Sequence, residues 1–338
     1  MPCEPPAGSR PVALVLRALG LGDLLAGVPA LRALRGSLPG HEIVLAAPTV
    51  LQPLVELTGA VDRLLPQREL EPIHWEGPAP DIAVDLHGNG PASHRILEQL
   101  RPRLVVAFDR PGTGSDRPVW DDDEHERSRW CRLVASAFGG EPDPDDLLLA
   151  RPDRSAVIAA ATVVHPGAAF PARRWPAERF AMVARQLAEA GHQVVVTGSP
   201  DERALAEQVA RAAGLPPEAI LAGSTDLTQL AALVADSRLV VCGDTGMGHL
   251  ASAFRRPSVL LFGPTPPCRW GPPATGPHVV LWRGDRVGDP WADRPDPALL
   301  RITVAEVLAA IEAVQQGHPP PGRRVRDRSR PAVQGNAR

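Results

Sequence analysis

The chain has 338 residues, more than one hydrophobic core ordinarily supports, so two domains are expected. A formal net charge of −3 argues against a general nucleic-acid binder. No apolar run approaches the roughly eighteen residues of a membrane span, and the proline-rich start from Met1 to Pro11 lacks the apolar core of a signal peptide. The expected location is the cytoplasm, extending to the inner face of the membrane. The four cysteines, at 3, 131, 242 and 268, form no Cys-x-x-Cys pair, which speaks against a zinc site or a disulfide framework. Lysine and tyrosine are absent while Ala, Arg, Pro and Gly abound, as a GC-rich codon bias would produce. Every side-chain cation other than histidine is therefore a guanidinium, which grips phosphate oxygens bidentately.

Strands and helices alternate along the chain. Short apolar strands are predicted at Val12 to Leu16, Glu42 to Ala46, Ile82 to Leu86 and Leu104 to Phe108, with helical patterns at Leu24 to Leu34 and Ala92 to Gln99. This is the sequence of parallel βαβ units. A loop rich in Pro, Asp and Gly from Pro111 to Asp123 leads to a helix over Glu126 to Phe138. A linker follows near 148 to 158. Beyond it come strand Thr162 to His165, helix Pro176 to Ala190, strand Gln193 to Thr197, helices Asp201 to Ala213 and Leu227 to Ala235, and strands Leu239 to Cys242 and Ser258 to Phe262. A last helix covers Val304 to Gln315, and a tail from Gly317 to Arg338 carries six arginines and almost nothing apolar, a composition of disorder. The expected domains are residues 1–152 and 153–316, each Rossmann-like and doubly wound, with 317–338 as tail.

Three segments carry chemistry. Residues 243 to 264 begin Gly-Asp244-Thr245-Gly246-Met247-Gly248-His249 between two apolar runs. The glycines let backbone approach a ligand, Asp244 or Thr245 can cap the following helix, and the free N–H groups at that helix start suit a phosphate. His249 adds a donor in the first turn, so a diphosphate is the natural ligand. Residues 164 to 180 follow a strand with His-Pro-Gly and bring Arg173 and Arg174 before a Trp-Pro helix start. Near the N-terminus, strand Val12 to Leu16 runs into Gly20-Leu-Gly22-Asp23-Leu-Leu25. The third glycine of a dinucleotide fingerprint is missing there, since Leu25 replaces it.

Together these segments resemble glycosyltransferase family 9, the heptosyltransferase family. Its marks are a Gly-Asp turn followed by Pro-x-Leu, His-Pro-Gly leading to a basic residue and Trp-Pro, and Asp-Thr-Gly-x-x-His-Leu-Ala followed by Phe-Gly-Pro. All occur here in order, over roughly residues 12 to 310. The resemblance implies an α/β fold of GT-B type, two Rossmann-like domains facing across a cleft, with the last helix packing back on the first domain. It implies Asp23 as general base, accepting the proton of the acceptor hydroxyl as that hydroxyl attacks the anomeric carbon; as a residue, Asp23 also reads as a cap of the helix at Leu24. Arg173 stands at the family's usual lysine position beside Arg174. Glu202 resembles the acidic residue that holds the nucleotide ribose, or else caps its helix. Ala168 and Ala169 depart from the family, which often has Ser or Thr there against the phosphates.

On the acceptor side the candidates are His87 and Asn89, which also fit ordinary turn chemistry, and His125. The tryptophans at 270, 282 and 291 lie in a Gly- and Pro-rich stretch and read as packing under a loop, or as stacking on a base or sugar. The function implied is transfer of a sugar, heptose from ADP-heptose or another sugar from its nucleotide, to a glycan or glycolipid, with no metal and no other cofactor. A non-catalytic nucleotide-sugar binder and a sugar-nucleotide epimerase of the same architecture are the alternatives.

Overall fold

The structure, a computed structural model, describes residues 10–109 and 117–317. Cys3, part of the expected loop after Pro111 and nearly all of the expected Arg-rich tail lie outside the described residues.

Two five-stranded parallel sheets organise the chain. In the first, β1 (Val12–Leu16), β2 (Glu42–Ala47), β3 (Arg63–Pro66), β4 (Ile82–Asp85) and β5 (Leu104–Val106) pair in the order β3-β2-β1-β4-β5. In the second, β6 (Thr162–His165), β7 (Val194–Val196), β8 (Leu239–Gly243), β9 (Ser258–Phe262) and β10 (His278–Trp282) pair in the order β10-β9-β8-β6-β7. Helices α1 (Leu21–Ser37), α2 (Gln52–Thr58), α3 (Pro91–Glu98) and α4 (Glu126–Phe138) belong to the first unit. The second unit holds α5 (Ala177–Glu189), α6 (Arg203–Ala213), α7 (Leu227–Ala235), α8 (Gly246–Ala253), α9 (Pro267–Trp270), α10 (Pro297–Leu300) and α11 (Val304–Gln315). The central strands are Val, Leu and Ala runs buried on both faces, as helix-covered parallel strands must be. Edge strands β3 and β10 escape the sequence pattern: β3 is four residues ending in Pro66, and β10 is embedded in Gly- and Pro-rich chain.

Strand order reverses between β1 and β4 in one sheet and between β6 and β8 in the other, which places a binding crevice beyond the carboxyl ends of those strands. Both crevices open on the same cleft, because the units are welded helix to helix. Leu24, Leu25 and Val28 of α1 share one apolar cluster with Met247, Leu250 and Ala251 of α8. At the helix starts the contact is backbone-close: a Cβ on Gly246 would stand 2.9 Å from the Leu21 side chain, and one on Gly22 would stand 3.0 Å from the His249 ring.

The last helix corrects an expectation. Val307, Ile311 and Val314 of α11 join Val183 and Val241 in the core of the second unit, and α11 packs on α5, β9 and β10 rather than on the first domain. An apolar helix face carries no label for its sheet, and the nearest uncovered face after β10 is that of its own sheet.

His125 is a second correction. It is the N-cap of α4, its Nδ1 accepting the Arg127 N–H at 3.2 Å while Nε2 lies 3.0 Å from the Gly271 carbonyl oxygen of the other unit. Arg127 also donates to Gly271 at 2.7 Å and pairs with Asp145 at 2.9 Å, and Arg269 pairs with Asp123 across the same seam. Both ring nitrogens of His125 are engaged, so it latches the domains instead of facing an acceptor. Burial pushes its pKa down to about 4, keeping the ring neutral.

Beneath the start of α1 lies a buried arginine that the sequence pattern did not single out. Arg17, 1% exposed, donates from Nε to the Asp23 carbonyl at 2.5 Å and from a terminal nitrogen to the Leu86 carbonyl. Its other terminal nitrogen pairs with Glu126 at 3.2 Å, and its guanidinium stacks 5.1 Å over the Trp130 ring. Glu126 in turn accepts from Trp130 Nε1 at 2.7 Å and Arg129 at 2.6 Å. Gly27 makes the room, since a Cβ there would meet Arg17 Nε at 2.9 Å. Arg17→Met should lower unfolding free energy by about 3–5 kcal/mol, because two buried carbonyls and part of a buried carboxylate lose their donor. Urea denaturation measures it, and a loss under about 1 kcal/mol would show that the network is dispensable.

Three interior imidazoles give the fold an acid limit. Burial pushes the pKa of His249 down to about 3 and those of His125 and His278 to about 4. The unfolded chain takes up these protons near pH 6.5 and the fold does not, so this stability is present above pH 6.5 and lost as pH falls toward 4. Asp244 has the opposite sense, since burial raises it to about 6; its contribution is greatest below pH 3.8 and is lost as pH rises through 6. At pH 5 the histidines outweigh the carboxyl, and stability should be about 5 kcal/mol below that at pH 7.5. An unchanged or higher urea midpoint at pH 5 would contradict neutral burial of these rings.

Candidate active site

The cleft between the units has a volume of about 450 Å³, within the usual range of a small-molecule site. The first unit contributes Gly20 to Asp23; the second contributes His165, Ala169, Arg173, the segment Asp244 to Met247, and His249. All three segments singled out in the sequence therefore meet at one place.

Each helix start is shaped by its own chain. α1 begins at Leu21, three residues before the expected start, with extended Gly20 as N-cap. Asp23 thus stands in the first turn rather than at the cap, and its Oδ2 accepts the Gly20 N–H at 3.2 Å. Burial lifts the pKa of Asp23 above the usual carboxylate range; the Arg17 cation opposes this and Glu126 adds to it. At α8 the cap is Thr245, whose Oγ1 accepts the Met247 N–H at 3.3 Å. That leaves Asp244 out of capping. Its carboxyl is buried, its pKa raised by burial and by Asp23 against the pull of Arg173. Gly243 lets the Arg173 main chain pass, since a Cβ there would stand 3.0 Å from the Arg173 carbonyl oxygen.

Two helix N-termini thus open into the cleft, each with partial positive charge; at α8 the Met247 and Gly248 N–H groups are already bonded to Thr245. Arg173 lines the same space with a buried Nε that has no hydrogen-bond partner. His249 packs edge-on to Trp270, ring centroids 5.8 Å apart, and acts there as a neutral donor or acceptor. Gly248 lies beneath the turn, tight against Leu260. Such a cradle can hold a dianion by fixed N–H groups and one guanidinium, with two carboxyls beside it to accept protons or hydroxyl hydrogen bonds.

Not every expected residue reaches the cleft. Arg174 turns away and donates from Nε to the Ala168 carbonyl at 2.9 Å, bracing the His-Pro-Gly loop. Glu202 does cap, accepting the Ser199 N–H at 2.8 Å, and its carboxylate also fills the space over Gly167, where a Cβ would stand 2.2 Å from Oε1. That contact explains why the His-Pro-Gly segment ends in glycine. His87 and Asn89 lie on the turn after β4 and are not among the residues that line the cleft volume. Asp85 organises that turn, accepting the His87 and Gly88 N–H groups at 2.9 and 3.3 Å. Burial holds the His87 ring below its ordinary pKa, with Asp85 opposing and Arg17 reinforcing. Sequence reasoning missed Arg17, whose burial no local pattern announces, and His165, whose Nδ1 lies 3.0 Å from Thr197 Oγ1. The acidic run from 121 to 124 is already committed to Trp120, Arg269 and Arg132. Among the described residues no group of three His, Cys, Asp or Glu could hold a metal ion, and no helix is long and apolar enough to cross a membrane.

The model of glycosyltransferase family 9 (heptosyltransferase) matches residues 116–288. Lipopolysaccharide heptosyltransferase 2 of Escherichia coli (strain K12) is 36% identical over 163 residues, 44% of this chain and 45% of that protein. The matched stretch thus spans somewhat under half of that relative. Among solved structures, E. coli ADP-heptose lps heptosyltransferase II superposes with a TM-score of 0.71 at 24% identity, covering 90% of this chain and 99% of that one. E. coli heptosyltransferase WaaC with ADP gives 0.65 at 20% identity, covering 90% and 98%. The fold is therefore GT-B, two Rossmann-like domains across a cleft. Half of the chain matches the family model and the three motif segments line one cleft: the chain belongs to glycosyltransferase family 9, the heptosyltransferase family.

Proposed function

We propose that the protein is an inverting, metal-independent glycosyltransferase that moves heptose from ADP-heptose to a lipopolysaccharide core acceptor at the cytoplasmic face of the membrane. One observation carries this reading: two helix N-termini and a buried, unpartnered Arg173 nitrogen converge on a space that also holds Asp23 and Asp244. The relatives' names supply the donor and acceptor classes, since one is a lipopolysaccharide heptosyltransferase and another was solved with ADP.

In the mechanism, the diphosphate lies against the start of α8 with Arg173 on its oxygens and the His249 N–H as a further donor. Ala169 offers only a methyl at its position, so main-chain N–H groups and the guanidinium carry the leaving-group charge. Arg173 interacts more strongly as that charge develops, which favours the transition state over bound donor. The acceptor hydroxyl enters from the α1 side, and Asp23 takes its proton as the new bond forms at the anomeric carbon. Direct displacement with one base inverts that carbon. Burial raises the pKa of Asp23, which makes its carboxylate a better base. Asp244, a buried carboxyl, suits a sugar hydroxyl better than a phosphate. Glu202, whose carboxylate packs over Gly167, is the residue we assign to the ribose hydroxyls.

ADP release from ADP-heptose, measured with and without lipopolysaccharide truncated before its heptoses, tests the whole reading; release independent of acceptor, or none at all, would overturn it. Asp23→Asn keeps the shape but cannot take the proton, so turnover should fall by about 10²-fold or more with little change in donor affinity. Near-parent turnover in that variant would reduce Asp23 to a first-turn carboxylate. Arg173→Ala should instead weaken ADP binding and turnover together. Chelation with EDTA should leave the rate within about twofold, since fixed cations and helix amides meet the diphosphate charge. Loss of activity restored by magnesium or manganese would refute that account.

A further inference from the structure

Trp291 is 69% exposed and yet lines the cleft, beside Pro290 and Thr265. An indole left in water is held for a ligand or rests by default, and the loop distinguishes the two. Main-chain bonds clamp it on both sides: Gly288 N–H donates to Pro264 O at 2.8 Å, Ala172 N–H to Ala292 O at 3.1 Å and Asp296 N–H to Ala172 O at 3.1 Å. The Trp291 N–H itself donates to Asp289 Oδ1 at 2.9 Å. Gly288 is required there, because a Cβ would stand 2.6 Å from Asp296 Oδ2 and 3.0 Å from Pro264. The ring is therefore presented by a pinned loop whose partner, the segment through Ala172, is the one that carries Arg173.

Its place in the sheet selects the ligand. α8 follows the central strand β8, Glu202 follows β7 at one end of the order, and Trp291 follows β10 at the other. A nucleoside diphosphate seated on α8 with its ribose toward Glu202 extends toward β7. That leaves the β10 flank for the sugar side of the reaction. We propose that Trp291 is a sugar platform, a preorganised aromatic face that stacks on the apolar face of a pyranose ring, either the transferred sugar or a sugar of the acceptor. The chemistry is the same for both: axial C–H bonds lie on the indole while ring hydroxyls stay solvated or reach Asp244 and Asp23. A rigid aromatic face spends little conformational entropy on such a contact. The inference rests on the site reading above and adds a specificity-determining residue to it.

Trp291→Ala and Trp291→Phe in the full chain test it, with ADP, ADP-heptose and truncated lipopolysaccharide as probes. Because the side chain is mostly exposed, the melting temperature should stay within a degree or two of the parent, and ADP should bind both variants with parent affinity. If the donor sugar is the guest, Trp291→Ala should weaken ADP-heptose binding about tenfold by calorimetry; if the acceptor glycan is, the acceptor KM should rise about tenfold with kcat little changed. Trp291→Phe should recover part of either loss. Equal weakening of ADP and ADP-heptose would make the ring a base platform and overturn the proposal, as would parent-like behaviour in every assay. Lost sedimentation with anionic phospholipid vesicles at unchanged sugar affinity would overturn it too, by making Trp291 a membrane contact. Failure of the parent chain to bind ADP-heptose would instead remove the functional reading on which this rests.

Discussion

The site depends on the head-on approach of two helix starts. α1 and α8 come from different sheets, and their first turns touch at Gly22, Gly246, Leu21 and His249, with no space for an added Cβ. Each start carries about half a unit of positive charge, so two of them facing one cleft repel each other and gain from an anion placed between them. The remainder of both helices shares an apolar cluster, which holds the two starts together. Arg173 adds to the positive field; Asp23 and Asp244 temper it.

The same proximity sets the protonation of the two acids. Asp23 sits above a buried cation, Arg17, which opposes the effect of burial on its carboxyl, while Asp244 has Arg173 for the same purpose and Asp23 against it. Two carboxyls in one cleft, each with its own guanidinium, differ in character through those partners, and such differences sort acids into roles. Arg17 does this from a position with no access to ligand. Its donors go to the Asp23 and Leu86 carbonyls and to Glu126, so it ties the start of α1, the end of β4 and the start of α4 into one rigid floor.

Where residues turned out to brace rather than bind, the cause is geometric. Arg173 ends a short 3-10 turn, Pro171–Arg173, and Arg174 follows it in extended conformation, so their side chains diverge: one lines the cleft and the other holds the Ala168 carbonyl. His125 is drawn to the Gly271 carbonyl because α4 and α9 abut across the domain seam. Trp270 and Trp291, alike in sequence surroundings, separate just as sharply, one packed against His249 and the other held out in solvent.

The sequence by itself determined the alternation of eight short apolar strands with amphipathic helices, and it marked the three turns where glycine, acid and base cluster. Those are local properties, written in hydrophobic period and in the residues that turns and helix starts require. It pointed to Asp23 as the cap of a helix starting at Leu24, where the structure has it inside the first turn, and it left open whether Asp244 or Thr245 capped α8, because both depend on where the first helical residue falls. Tertiary structure alone decided that α11 covers its own sheet, that Arg17 is buried beneath Asp23, and that Arg173 rather than Arg174 faces the cleft. The reason is that burial and charge pairing are set by elements distant in the chain, such as Arg17 against Glu126 or His125 against Gly271, and no local spacing encodes which of them will meet.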